Sequence, residues 1–292
     1  MDLKEQDRVL KVVSGRTLQT IIFFTNQGKA YTLKAHEITE STRSSRGTPI
    51  VNLLQLADDE RVVAAVPVDA FSSTQYLTLI TRHGNVKRTS LDAFSNVRST
   101  GIIATQFDEH DSLAEALVTT GDGQIAIATT DGLTIRFSES DISIMGRTAK
   151  GMAGIRLEEG SEVAGAAFLP NIPDKVSIFS ITKRAHGKRT LAQEFRLQKR
   201  GGAGVVGFNV NSKSGNLIGV IPITEQADVM IISEKGQANR LNTSSIALQR
   251  RTTSGSRLAK LNDGDNIASI VTIQAETPTQ KTPQNKLVKK RK

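Results

Sequence analysis

The side chains whose types and spacing could act together are cations set beside glycines. Arg43 and Gly47, Arg147 and Gly151, Arg200 and Gly204, and Arg251 and Gly255 all read R-x-x-x-G, and the pair Arg98 and Gly101 is one residue shorter. A second basic position precedes this landmark: Lys87-Arg88, Arg136, Lys188-Arg189 and Arg240 stand at one common distance from a turn. Lys29, Arg46, Lys150, Lys199 and Arg250 add charge beside one landmark or the other. A cation next to a residue without Cβ suits a polyanion. The charge attracts a phosphate, and glycine lets that phosphate approach backbone N–H groups. In a single copy this would be an ordinary basic turn; copies in phase argue for a track of positive charge.

Other chemistry is poorly provided for. The chain has no cysteine, which removes disulfides, thiolate metal sites and cysteine nucleophiles. His36, His83, His110 and His186 are scattered among turns, with no pair at metal-ligand spacing. Asp58-Asp59 and Glu158-Glu159 fall in turns and read as solvated charges rather than a catalytic carboxylate pair. Residues 202–207 match G-x-G-x-x-G, but GFNVNSKSGN follows, with β-branched residues and a turn where a dinucleotide-binding helix would begin. There is no P-loop and no nucleophile–base constellation, so no catalytic residue, metal or cofactor is expected.

The elements that must position the cations are short strands. TIIFFT (20–25), LTLIT (77–81), IAIAT (125–129), VSIFSIT (176–182) and VMIIS (229–233) are rich in Ile, Val and Thr and too short for helices. A turn follows each, with Gly28, Gly84, Gly132 or Gly236, and with Ala185 in the fourth copy. The landmark glycines 47, 101, 151, 204 and 255 are spaced 54, 50, 53 and 51 apart. Each is followed by an apolar strand, in most copies an acidic turn, and a closing strand such as VVAAVPV or LIGVIPI. A period near fifty with several strands per unit predicts an all-β, propeller-like array of blades, each burying its faces on its neighbours. The expected domain is residues 1–275, with repeats at about 18–71, 72–122, 123–174, 175–227 and 228–275. A partial repeat precedes them, because LKEQDRVLKVV (3–13) resembles LADDERVVAAV (56–66). Either the chain is a fragment, or this lone strand closes the array against the last blade. Residues 276–292, rich in Thr, Pro, Gln and Lys, are expected to be a disordered basic tail.

Net charge is +9, and six cations without an acid lie after residue 280, leaving +3 for the rest. The folded part therefore has to bind a polyanion through the arrangement of its cations. No apolar run approaches a membrane span, and residues 1–20 do not form a signal peptide, so a cytoplasmic protein without a membrane partner is expected. Equivalent positions in stacked blades lie at equivalent places around the array, so two rows of cations should run along one rim. The rows lack interleaved aromatics for single strands and no recognition helix is evident. The expected ligand is duplex DNA held by its backbone and bent. A propeller-type protein-interaction scaffold whose basic rim meets an acidic partner is the alternative.

Whole phrases carry a resemblance. FFTNQGKAYTLKAHEI (23–38), GTPIVNLL (47–54), FSNVRSTGIIA (94–104) and IRFSESDISIMGRTAKGMAGIRL (135–157) resemble the carboxy-terminal domain of DNA gyrase A, over residues 3–274. The corresponding domain of topoisomerase IV is a weaker match. The resemblance implies a β-pinwheel of four-stranded blades that exchange strands, with DNA wrapped around a basic outer rim in support of negative supercoiling. It implies the remainder of gyrase A, together with gyrase B, as partners, bacterial origin and association with the nucleoid. The catalytic tyrosine and ATPase site would lie outside this chain. That family usually has six repeats and a box, Q-R-R-G-G-K/R-G, in the first. Gln198, Arg200, Gly201, Gly202 and Gly204 match the box, Lys199 replaces an arginine and Ala203 replaces a cation. This copy falls in the fifth family repeat, and the first repeat's box would precede residue 1.

Overall fold

Every repeat opens with an apolar strand ending in Thr or Ser, and that hydroxyl starts a hairpin. Oγ of Thr25, Thr81, Thr129, Thr182 and Ser233 accepts from the N–H four residues on, at 3.0–3.3 Å. The turn residue one before that donor has positive φ, from +60° at Ala185 to +92° at Gly132. The computed structural model describes residues 8–41, 47–171, 176–224 and 227–273. Arg43, Arg46 and the 276–292 tail lie outside the described residues.

Repeat 1 supplies β1 (Thr20–Thr25), β2 (Lys29–Lys34) and β3 (Val62–Val68). Repeat 2 supplies β4 (Tyr76–Thr81), β5 (Asn85–Ser90), β6 (Ile102–Ile103) and β7 (Leu113–Thr119). Repeat 3 supplies β8 (Gln124–Thr129), β9 (Leu133–Ser138), β10 (Met152–Ala153) and β11 (Val163–Leu169). Repeat 4 supplies β12 (Ser177–Thr182), β13 (His186–Leu191), β14 (Leu197–Gln198), β15 (Val205–Val206) and β16 (Leu217–Ile223). Repeat 5 supplies β17 (Asp228–Ser233), β18 (Ala238–Asn242), β19 (Ser256–Arg257) and β20 (Ile267–Ile273). The helical segments among the described residues are single 3-10 turns. The fold is all-β, with five blades arranged like a propeller.

The blades exchange strands. Their orders are β3-β1-β2-β6, β7-β4-β5-β10, β11-β8-β9-β14 with β15 also on β9, β16-β12-β13-β19, and β20-β17-β18. The fourth strand of each of the first four blades thus comes from the following repeat. The turn at the tip of each hairpin fastens it: Gly28, Gly84 and Gly132 C=O each accept two N–H groups from that repeat, and Ala185 C=O accepts Leu258 N–H. At Gly132 glycine is required by space as well as by φ, since a Cβ there would lie 2.2 Å from Phe208 O. Blades also pack face to face, Ile22 and Phe24 of blade 1 sharing one core with Leu77 and Leu79 of blade 2.

Two local expectations change. The apolar run after Gly47 is not a strand but a 3-10 turn, Ile50–Asn52. Its counterparts become strands only by pairing with a preceding blade, and no blade precedes blade 1 among the described residues, so this run forms local i→i+3 bonds instead. Asp58-Asp59 and Glu158-Glu159 are exposed, as expected, but the acidic turns of other repeats also hold buried acids. Asp111 and Asp265 are buried, and each caps two backbone N–H groups through Oδ1.

Residues 8–13 take the place that the sequence comparison with 56–66 assigns to a closing strand. Val9 N–H donates to Glu234 O at 2.9 Å, repeating the bonds from Val163 to Arg82, Leu217 to Thr130 and Ile267 to Lys183 that tie each inner strand to the blade before it. Val12 N–H then reaches Ser269 Oγ on β20, and Lys11 pairs with Glu115 on β7. The amino-terminal segment thus joins blade 5 back toward blades 1 and 2.

Candidate nucleic-acid interface

The two rows of cations part company. Lys87 is 1 % exposed, Lys188 0 %, Arg88 7 % and Arg136 8 %. They lie on β5, β9 and β13, the second strand of each hairpin, whose outer face the following repeat covers. Arg88 Nη1 donates to Gly121 O at 3.3 Å, stands 3.6 Å from buried Glu139 and lies over the Tyr76 ring at 4.7 Å. Arg136 Nη1 donates to Ala192 O at 2.7 Å, and burial lowers its pKa. Arg189 Nε donates to Ile246 O at 2.7 Å. Each arginine grips the connection of the next repeat. This row is a set of inter-blade fasteners, which corrects its placement on an open rim. The exception is Arg240 on β18, whose outer edge carries no strand among the described residues; it is exposed and pairs with Asp228 at 2.6 Å.

The lysines hold the basic loops from beneath. Lys87 Nζ donates to the carbonyls of Ala104 (2.9 Å), Gly146 (3.1 Å), Arg147 (2.6 Å) and Ala149 (3.0 Å). Lys188 Nζ donates to the carbonyls of Arg250 (2.8 Å), Arg251 (2.7 Å) and Thr253 (2.9 Å), to Thr253 Oγ1, and lies 5.0 Å from the Phe208 ring centre. Burial lowers both ammonium groups to about 8. In blade 1 the same position holds Tyr31, whose hydroxyl bonds Glu60 at 2.9 Å. Burial and that carboxylate push Tyr31 up to about 12. Burial would raise Glu60, but bonds from Ala57 N–H, Thr25, Tyr31 and Lys29 outweigh it and hold Glu60 low. Lys29 is therefore committed to Glu60, at 3.3 Å.

The second row reaches the surface. Arg98, Lys150, Lys199 and Arg250 are exposed, and Arg147, Arg200 and Arg251 are half-buried. Arg200 Nη1 and Arg251 Nη1 lie along the borrowed strand of the blade behind, on Ala153 O and Val206 O, both at 2.9 Å. Lys150 pairs with Asp108 at 2.7 Å and Lys199 with Asp141 at 3.2 Å, ion pairs at the surface that a phosphate can replace. In the box, Gly201 N–H donates to Gly154 O at 2.6 Å and Gly202 O accepts Arg156 N–H, while Gly202 and Ala203 are both half-buried. Gln198 lies on β14 beside Phe137 of β9.

Four of the five landmark glycines serve the fold, Gly47 being the exception with open space around it. Gly101, Gly151, Gly204 and Gly255 have φ between +69° and +102°. A Cβ on Gly151, Gly204 or Gly255 would lie 2.6–2.8 Å from a carbonyl oxygen of the preceding blade's second strand. The close approach they permit is to that strand rather than to a ligand.

Sequence reading missed several rim residues. Arg196 and Arg257 are exposed beside the loops. Ile144, Leu197 and Leu248 are each about half exposed and stand three residues before Arg147, Arg200 and Arg251. Their common offset from the arginine was available as a signal.

Comparison with known proteins gives a family for this arrangement. Residues 19–69, 75–120, 123–170, 177–224 and 227–274 match the model of a family described as DNA gyrase C-terminal domain, beta-propeller. The DNA gyrase A protein of Staphylococcus epidermidis (strain ATCC 12228 / FDA PCI 1200) is 36% identical over 280 residues, 94% of this chain and 31% of the relative. The DNA gyrase A protein of Staphylococcus aureus (strain NCTC 8325 / PS 47) is 35% identical over 289 residues, 98% of this chain and 32% of the relative. The chain spans about a third of the length of these relatives. A solved DNA gyrase A C-terminal domain superposes with a TM-score of 0.83 at 21% identity, covering 93% of this chain and 88% of that one. A DNA topoisomerase IV C-terminal domain superposes at 0.76 with 24% identity, covering 89% and 80%.

Proposed function

The chain belongs to the DNA gyrase C-terminal domain family, and from that membership and its basic rim we propose that it is a non-catalytic module that binds, bends and wraps duplex DNA. The DNA lies across the loops at 98–101, 147–151, 198–204 and 250–255 and is held through its phosphates. The single observation that supports this most is that the second row reaches the surface, with cations at equivalent places on successive repeats. A phosphate backbone is a repeating anion and fits a repeating cation. The module would act within a type II topoisomerase beside the remainder of gyrase A and gyrase B, in the bacterial cytoplasm at the nucleoid. The catalytic tyrosine and ATPase site would belong to those other parts.

The test is duplex binding against salt, using a chain ending at Ile273 so that the basic tail takes no part. If each loop meets one or two phosphates, affinity should fall by about two to four decades between 50 and 200 mM salt, with little dependence on sequence. A shallow response would favour an acidic protein partner instead.

A further inference from the structure

We propose that Lys87 and Lys188 are positioning residues for the rim: each draws the carbonyls of the next repeat's basic loop inward, so that the loop's peptide N–H groups face out to receive a DNA phosphate. This rests on the DNA-binding reading above. The two lysines occupy the same place in repeats 2 and 4, three residues after the hairpin turn. Tyr31, Ile135 and Asn239 stand there in the other repeats.

A buried ammonium usually requires an acid. Here both find backbone oxygens instead, four at 2.6–3.1 Å around Lys87 and three at 2.7–2.9 Å around Lys188. The carbonyl and N–H of a trans peptide point in opposite directions. With the carbonyls of Gly146, Arg147 and Ala149 turned in toward Lys87, the N–H groups of Arg147, Thr148 and Lys150 turn away from it. None of those three N–H groups has an acceptor among the described hydrogen bonds. Over Lys188 the corresponding donors are Arg251, Thr252 and Ser254. One of these already holds an anion: Glu194 Oε2 accepts from Arg251 N–H at 3.2 Å. That carboxylate shows that an anionic oxygen fits the outward side of the loop, where a phosphate oxygen would make the same bond.

The box loop is built differently. Ile135 lies beneath it, and Gly201 N–H is spent inward on Gly154 O. The 198–204 loop therefore lacks a buried ammonium to orient its carbonyls, and Lys199 and Arg200 supply its charge.

The ammonium has three donors and no acceptor, whereas a neutral amine turns a lone pair toward the carbonyl cage. Burial lowers both groups to about 8, so in mildly alkaline solution each amine gives up one of the N–H donors that orient the cage. The charged groups facing Lys188 are Glu194, which raises its pKa, and Arg251, which lowers it. Arg147 and Lys150 belong to the loop over Lys87, and Arg88 is its neighbour on β5. Exposed lysines ordinarily titrate near 10.4, so they contribute little change between pH 7 and 9.

The experiment compares the full chain with Lys87→Met, Lys188→Met and the double variant, measuring duplex affinity at fixed salt from pH 7 to 9.5. Unfolding curves at each pH identify the folded range. For the unsubstituted chain, affinity should fall about tenfold with a midpoint near 8, a change of about 1.4 kcal/mol. The double variant should be about tenfold weaker at pH 7 and nearly flat in pH. Arg147→Ala should weaken binding in the unsubstituted chain and have little further effect beside Lys87→Met. Folded variants that bind with unchanged affinity and pH profile overturn the positioning role while leaving the DNA-binding reading intact. If the variants do not fold, a flat profile for the unsubstituted chain overturns it. Failure of the unsubstituted chain to bind duplex at any pH refutes the DNA-binding reading itself.

Discussion

Arg88→Ala separates a fastener from a DNA contact. Arg88 is 7 % exposed, with its guanidinium over Tyr76 and 3.6 Å from Glu139, which is itself fully buried. Without Arg88, the Glu139 carboxylate keeps only the Thr119 hydroxyl at 2.5 Å and Gly121 N–H at 2.8 Å. Stranding one charge of a buried pair typically costs about 3–5 kcal/mol. The lost ring contact adds up to about 1 kcal/mol within that range. Each kcal/mol lowers the melting temperature by about 2–4 °C in domains of this size, so a drop of about 10 °C is expected. Thermal unfolding followed by circular dichroism measures it. At a temperature where the variant remains folded, duplex affinity should change by less than about twofold. A variant that melts like the parent but binds DNA tenfold less well would return Arg88 to the rim and refute the fastener assignment.

Arg98→Ala should do the reverse, leaving the melting temperature within about 2 °C while weakening duplex binding and reducing its salt slope by about one contact. Gly204→Ala forces a Cβ to within 2.6 Å of Thr134 O at φ +80°, so it should destabilise by about 2–4 kcal/mol in denaturant unfolding. The buried lysines also set a pH dependence of stability. Their pKa of about 8 in the fold lies below the ordinary 10.5, so between those values the native state binds fewer protons than the unfolded chain. Their contribution to stability therefore rises from pH 8 toward 10.5, and Lys87→Met with Lys188→Met should flatten that rise in pH-resolved denaturant curves. Tyr31, held near 12, acts oppositely and lowers stability above pH 10 as the unfolded tyrosine ionises.

The repeat and the all-β blades were legible in the sequence because they depend on local pattern. Thr at the strand end, a turn residue three positions on and R-x-x-x-G recur in phase. The burial of Lys87, Arg88, Arg136 and Lys188 was not legible. Strand alternation gives the face of a side chain, but not that a segment from the following repeat will cover that face. The same exchange of strands reassigns the glycines. Gly151 and Gly204 looked like openings for a phosphate, and they are where one repeat's backbone passes close to another's. The 3-10 turn at Ile50–Asn52 was partly legible: the residues after Gly47 in register with the borrowed strands are Thr48 and Pro49, proline has no N–H for a ladder, and no partner strand stands beside them among the described residues. Ile144, Leu197 and Leu248 went unnoticed because a half-exposed aliphatic residue next to a core strand looks like core.

Wrapping, as distinct from binding, is read most directly by topology. A nicked circular plasmid is saturated with the full chain, ligated, freed of protein, and its change in linking number per bound molecule is counted. The account predicts a reproducible shift of one sign, lost when Arg98, Arg147, Arg200 and Arg251 are replaced together by alanine in a chain that still folds. Bending a stiff duplex by 40–90° costs on the order of 1–6 kcal/mol for each 20–30 base pairs, and those contacts must offset it. Saturated binding with no change in linking number would contradict the account, leaving a basic rim that holds DNA without wrapping it.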